Sequence, residues 1–203
     1  MPDAIATCAA DVATQVSKSL RSLEKKLASG ESIYVYAIVV SDDLNSVMAC
    51  ANTKKHYAQS GGGPLDRWYF GQWVTDGMDI DSSGLMKRLG DPTDEEISEP
   101  GPHPVQTAWL VALTEALLQV KKRGELVFRG KEVIAFCSGI DTEAARWIEL
   151  ATARLLNSPA QFTSLESELR AAHDEWYGAD SGDDVSDLQR SFEKLWKSRS
   201  KTS

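Results

Sequence analysis

Ile33-Tyr34-Val35-Tyr36-Ala37-Ile38-Val39-Val40 (IYVYAIVV) decides the fold. Its β-branched and aromatic residues favour extended backbone, and both alternating faces are apolar, which predicts a central strand covered on each side. Downstream, Ser41 to Ser46 (SDDLNS) has the composition of a turn, and Val47 to Ala51 (VMACA) reads as the returning strand of a hairpin. Upstream, Ile5, Cys8, Val12, Val16, Leu20, Leu23 and Leu27 recur in steps of three and four, which predicts one long helix with a single buried face. Gly30 stands where a C-terminal cap belongs, and Lys25 and Lys26 fall in the last turn, where they complement the helix dipole.

Further along, Gly61, Gly62, Gly63 and Pro64 mark an irregular stretch before Arg67 to Val74 (RWYFGQWV), which predicts a third strand. A regular strand there would point Trp68 and Trp73, five positions apart, to opposite faces. Asp81 to Leu89 predicts a short helix, and Gly90, Pro92, Pro100, Pro102 and Pro104 turn the next stretch into a loop. Val105 to Val120 carries a broad apolar face and predicts the second strong helix. Lys131 to Cys137 (KEVIAFC) predicts a fourth strand, leading through Ser138-Gly139-Ile140-Asp141 into a helix from about Thr142 to Leu156. Phe162, Leu165, Leu169, Ala172 and Trp176 share one helical stripe, as do Val185, Leu188, Phe192 and Leu195.

The expected architecture is therefore α+β: a mostly antiparallel four-stranded sheet packed with a long N-terminal helix, a central helix and a helical C-terminal third. Residues 1–178 read as a single domain, and 179–203 as an acidic loop with a basic C-terminal helical extension.

At 203 residues, 42% apolar and 26% charged, the chain has the composition of a globular protein and is long enough to build a core without disulfide or metal staples. Its apolar runs, Val35 to Val40 among them, are far short of the ~20 residues that cross a bilayer. The first residues carry acids where a signal peptide carries Lys or Arg. Cys8, Cys50 and Cys137 are odd in number and widely spaced, without metal-ligand spacing. Reduced thiols in a cytoplasm are the expectation. A net charge of −8 argues against general nucleic-acid binding, which needs a basic face.

The acidity is concentrated. Residues 76–99 hold eight acids, Asp76, Asp79, Asp81, Glu95 and Glu96 among them, against Lys87 and Arg88. Residues 166–187 hold eight more against Arg170, whereas 188–203 set Arg190, Lys194, Lys197, Arg199 and Lys201 against Glu193. Two blocks of this kind read either as solvated surface that keeps the protein soluble or as an acidic face for a basic partner. The basic tail is also able to fold back on acids of the chain.

No catalytic or metal-binding signature completes itself. Asp79-Ile80-Asp81-Ser82-Ser83-Gly84 resembles the first half of a calcium loop, but Lys87 and Gly90 occupy later ligand positions, so a turn with helix-capping serines accounts for it better. His56, His103 and His173 have no zinc spacing. Gly61 to Gly63 lack the Lys and Ser or Thr of a phosphate cradle and precede a predicted strand. Neither a nucleophile elbow nor a His-Glu-x-x-His helix is present. No catalytic residue, metal or cofactor is assigned. Six tryptophans are more than this length usually contains, and most should be core or half-buried. Trp68 or Trp73 beside the Asp76 to Asp81 loop would make a hot spot for a partner's Arg or Lys. The candidate partner-binding set is Trp68, Trp73, Asp76, Asp79, Asp81, Glu95 and Glu96, weighed against plain packing and solvation.

The strand pair YVYAIVVSDD and SVMACANT, the following RWYFGQWVTDG, the helix after the Pro-rich loop, and the late strand-to-helix step ending in Leu155-Leu156-Asn157 resemble an uncharacterised bacterial family catalogued as domain of unknown function 4303. The resemblance spans roughly residues 5–175 and carries no established activity. It implies a small cytoplasmic bacterial protein of the accessory or immunity type.

Three functions are expected from these readings. The first is a non-enzymatic protein-binding module, an immunity-type inhibitor that lays an acidic, tryptophan-bordered surface over a basic protein such as a toxin. The second is a metal-assisted or acid/base hydrolase using Asp76, Asp79, Asp81 or His103. The third is a structural homo-oligomer that buries spare tryptophan surface.

Overall fold

The computed structural model describes residues 2–41, 46–63, 67–68, 71, 73, 78–90, 104–139, 145–177 and 186–200. The chain runs α1 (Pro2–Lys26), β1 (Ile33–Val40), β2 (Val47–Thr53), α2 (Lys54–Gln59), β3 (Met78–Ile80), α3 (Ser83–Leu89), α4 (Pro104–Lys122), β4 (Val127–Phe128), β5 (Lys131–Glu132), β6 (Ile134–Gly139), α5 (Ala145–Leu156), α6 (Pro159–Tyr177) and α7 (Ser186–Ser200). The fold is α+β. Its main sheet has the order β3-β2-β1-β6, with β4 and β5 forming a separate two-stranded hairpin.

β1 takes the central place its two-sided apolar pattern requires. Tyr36, Ile38 and Val40 face one core with Ile5, Val12 and Val16 of α1 and Trp109, Leu113 and Leu117 of α4. Val35, Ala37 and Val39, one residue out of phase, face a second core with Phe162, Leu165 and Leu169 of α6. Helices thus cover both faces of the sheet. β1 pairs antiparallel with β2, Ile38 opposite Ala49, and β2 pairs antiparallel with β3. β6 lies parallel to β1, with Ile38 opposite Cys137, so the sheet is mixed rather than wholly antiparallel. The long connection through α4 carries the chain back to the end of the sheet where β1 began, which a tight hairpin cannot do.

Two strand expectations are corrected. Arg67 and Trp68, expected to open the third strand, are helical; Gly71 lies in a 3₁₀ turn and Trp73 in a bend. The third strand is the shorter Met78–Ile80. Packing decides this. Trp68 and Trp73 enter the same core beneath β1 rather than opposite faces of a sheet, which needs a folded-back segment. The stretch expected as one strand from Lys131 to Cys137 is divided at Val133: Lys131 and Glu132 pair with Val127 and Phe128, and only Ile134–Gly139 joins the main sheet. The hairpin turns on Arg129 and Gly130, both at positive φ (+49° and +76°), the backbone of a two-residue turn matched to strand twist.

α7 lays Leu188 and Phe192 into the main core. At its far end Arg199 forms a two-pronged ion pair with Glu115 of α4, Nη2 to Oε2 at 2.8 Å, and its Nη1 donates to the Pro2 carbonyl. The basic tail is thus anchored on an acid outside the two acidic blocks. The Pro-rich stretch and the Ile140 to Ala144 link into α5 lie outside the described residues. Among those described, no helix is long and apolar enough to cross a membrane.

Candidate functional site

Trp68 leads to the site, although not by standing at the surface. Its side chain is 2% exposed, and its indole Nε1 donates to Glu168 of α6 at 2.8 Å. The same carboxylate oxygen accepts from Arg67 Nη1 at 2.7 Å. The Arg67 guanidinium lies 4.9 Å from the Trp68 ring, 5.5 Å from Tyr57 and 5.9 Å from Tyr34, inside the range where a cation is held by aromatic faces. Arg67 is therefore fixed by three rings and one carboxylate.

The rings are placed by local sequence. β2 runs directly into α2, because the Thr53 Oγ1 caps the helix by accepting from the His56 N–H at 3.2 Å and donates to Glu31 at 3.1 Å. That junction sets Tyr57 beside Tyr34 of β1, ring centroids 6.2 Å apart. Buried Asn52 orients Tyr34: its Nδ2 donates to the Tyr34 hydroxyl at 3.0 Å, and the hydroxyl donates to the Arg67 carbonyl at 2.8 Å. Burial pushes the Tyr34 phenol well above its ordinary range, with Arg67 opposing the shift. It stays protonated and acts as a donor.

Above this knot opens a cavity of about 440 Å³, lined by Tyr34, Tyr57 and Arg67 together with Lys54, Lys131 and Gln161. It lies at the N-terminal ends of the parallel strands β1 and β6. Lys131 arrives there because Arg129, in the hairpin turn, donates to the carbonyls of Glu31 (2.6 Å) and Ala28 (3.0 Å) and so clamps the hairpin to the α1–β1 turn. Gln161 arrives through the capping box of α6, in which its Oε1 accepts from the Ser158 N–H at 2.9 Å. Lys54 and Lys131 are exposed. Among the described residues neither has a carboxylate within ion-pair distance, while Glu132 is the one acid on the cavity rim. The volume is that of a small-molecule site.

Of the expected partner-binding set, Trp68, Trp73, Asp79 and Asp81 fall among the described residues. Trp68 and Trp73 are in the core, at 2% and 8% exposure, so neither indole presents a face to a partner; bulk apolar rings are worth more buried than beside acids. Asp79 is exposed on β3. Asp81 is exposed and caps the entry to α3: it accepts from the Ser83 N–H at 3.0 Å, and its bonds with Ser83 hold the carboxyl below its ordinary range. Asp76, Glu95, Glu96 and His103 lie outside the described residues. In the second acidic block, Glu168 is taken by Arg67, and Glu166 pairs with Arg170 at 3.0 Å. Among the described residues no group of three or more His, Cys, Asp or Glu side chains is gathered as metal ligands would be.

A second polar cluster is wholly internal. The Glu149 carboxylate of α5 accepts from the Ser138 hydroxyl at the end of β6 and, at 2.7 Å, from Nε2 of His173 of α6. All three are less than 8% exposed. The carboxylate, not the imidazole, receives the serine hydroxyl, which is not the order that activates a serine nucleophile. The cluster ties one strand to two helices.

Comparison of the chain with protein-family models, with curated proteins and with solved structures returns no match.

Proposed function

We propose that this chain is a binding module and that its recognition site is the cavity between β1, α2, Arg67 and the β4–β5 hairpin, where it receives an anionic group. One observation carries the reading: in a chain of net charge −8, Lys54, Arg67 and Lys131 come from three separate segments to one tyrosine-walled concavity. Cations gathered in a pocket raise the local concentration of anions and orient them. The experiment is a thermal-shift screen of small anions and cations on the full chain. Anions should raise the melting temperature, and Lys54→Gln with Lys131→Gln should abolish the rise. Stabilisation that survives both substitutions would place binding elsewhere.

The acidic-surface reading, an immunity-type inhibitor of a basic protein such as a toxin, is favoured by the exposure of Asp79 and Asp81. It is tested by association with basic proteins at rising salt, with Asp79→Lys as the control. A small bacterial cytoplasmic protein, as the family resemblance implies, belongs to this proposal.

A further inference from the structure

We infer that the anionic group received by the cavity is a phosphoryl monoester carried on a planar ring. This rests on the cavity being a binding site, and it comes from which atoms of the lining are already engaged.

The tyrosine hydroxyl protons and the Gln161 carbonyl oxygen are consumed. The Tyr34 hydroxyl donates to the Arg67 carbonyl, the Tyr57 hydroxyl donates to the Gly62 carbonyl at 2.8 Å, and the Gln161 Oε1 is held by the Ser158 N–H. A ligand is left with a set of donors: the N–H groups of Arg67 not turned to Glu168, the ammonium groups of Lys54 and Lys131, and the Gln161 amide NH₂. Apart from the Glu132 carboxylate, the described lining side chains offer mainly donors, and a ligand matched to them is an oxyanion.

The number and origin of the cations narrow the class. A carboxylate has two oxygens in one plane and is satisfied by a single arginine. Here three cations come from α2, from the helical Arg67–Trp68 segment and from the hairpin, a number that matches the three oxygens around a tetrahedral centre. A phosphate monoester carries nearly two negative charges at neutral pH; among the described lining residues, Lys54 and Lys131 have no carboxylate within ion-pair distance, Arg67 shares its charge with Glu168, and Glu132 is the acid. Arg67 is immobilised by Glu168 and three rings, so it offers its remaining donors at little entropic cost, while the two lysines act as adjustable point charges. The two tyrosines, their hydroxyls engaged, present ring surface only. A cavity of about 440 Å³ is larger than a bare phosphate requires. Ring surface beside an oxyanion site is filled by a planar group attached to the phosphate.

The test is calorimetric titration of the full chain with phenyl phosphate, inorganic phosphate and benzoate. Phenyl phosphate should bind at least about tenfold more tightly than either fragment, the increment that one charge-assisted hydrogen bond or one stacked ring supplies. Lys54→Gln with Lys131→Gln should weaken it by a further tenfold or more and leave the melting temperature of the unliganded protein unchanged, since both lysines are exposed. Arg67→Lys keeps the charge and removes the fork, and should weaken binding as well. Benzoate binding as tightly as phenyl phosphate would overturn the phosphoryl assignment and leave the anion site standing. Inorganic phosphate binding as tightly as phenyl phosphate would overturn the ring. Failure of all three probes, together with a blank anion screen, would overturn the site itself.

Discussion

Asn157 completes the edge of the sheet at Ala135. Its Oδ1 accepts from the Ala135 N–H at 3.0 Å, and its Nδ2 donates to the Ala135 carbonyl at 2.8 Å, so one side chain takes the place of a neighbouring strand. Two residues along β6, the Cys137 N–H donates to Thr152 Oγ1 at 2.9 Å. The opposite edge ends the same way: beyond β3, the Gln15 amide of α1 accepts from the Asp81 N–H at 2.7 Å and donates to its carbonyl at 3.3 Å. Unpaired edges invite strand addition by other chains. With Ala135 and Cys137 engaged in this manner, β6 is closed to a partner strand there, and recognition is left to side chains and to the cavity.

Asn157→Ala should therefore cost about 2–3 kcal/mol, because it strands the buried N–H and C=O of Ala135 as well as removing its own bonds. Gln15→Ala, at a half-buried site whose hydrogen bonds are open to solvent, should cost less than about 1 kcal/mol. Urea unfolding midpoints at constant slope measure both. Equal costs would mean that the edge contacts are not what stabilises β6.

The two core tryptophans should differ. Trp68→Phe loses the bond to Glu168, whereas Trp73 Nε1 is buried without a hydrogen-bond partner among the described residues. Trp68→Phe should be the more destabilising by about 1–2 kcal/mol. Denaturant curves of the two variants, compared in one buffer, check the order.

Glu149 is the hub of its cluster. Glu149→Ala removes the partner of both the Ser138 hydroxyl and the His173 Nε2, and should cost about 2–5 kcal/mol, since each buried polar group left unsatisfied costs about 1–3 kcal/mol. Ser138→Ala removes only one donor and should cost about 1 kcal/mol. A loss at Ser138 as large as that at Glu149 would contradict the carboxylate-centred arrangement.

Burial pushes the Cys50 and Cys137 thiols up to about 12, the bond between Thr114 and Cys137 opposing the shift slightly. Both should resist alkylation in the folded protein and react on unfolding. The raised folded values also set the pH dependence. Below about pH 9 both states hold these protons and the contribution to stability is complete. Above it the unfolded chain releases them first, so stability falls by about 1.4 kcal/mol per pH unit for each thiol until the folded values are reached. Unfolding free energies measured from about pH 8 to about pH 11 should show this decline across the unfolded thiol range; a flat profile would mean that the thiols are not desolvated.

The elements with strong periodicity were legible in the sequence. IYVYAIVV has apolar residues on both faces, and the stripes from Ile5 to Leu27 and Val105 to Val120 each leave one face to bury, so a two-sided central strand flanked by helices comes from local pattern alone. The segment around Trp68 was not legible, because aromatic and β-type residues there satisfy a strand and a folded-back core plug equally. Only the competition for space under β1 chooses between them. The candidate site was hidden for a related reason. Tyr34, Lys54, Tyr57, Arg67 and Lys131 are scattered from the first strand to the β4–β5 hairpin, and none belongs to a spaced motif. Their one local trace was Asn52-Thr53, whose side chains orient Tyr34 and start α2.

By itself, the sequence determined the alternation of buried faces, since side-chain hydrophobicity and backbone periodicity act within a few residues. Only the tertiary structure decided which charges meet. It paired Glu168 with Arg67 and Glu115 with Arg199, and it brought Lys54 and Lys131 to the rim of one cavity, because electrostatic partners are set by distance in space and not by order along the chain.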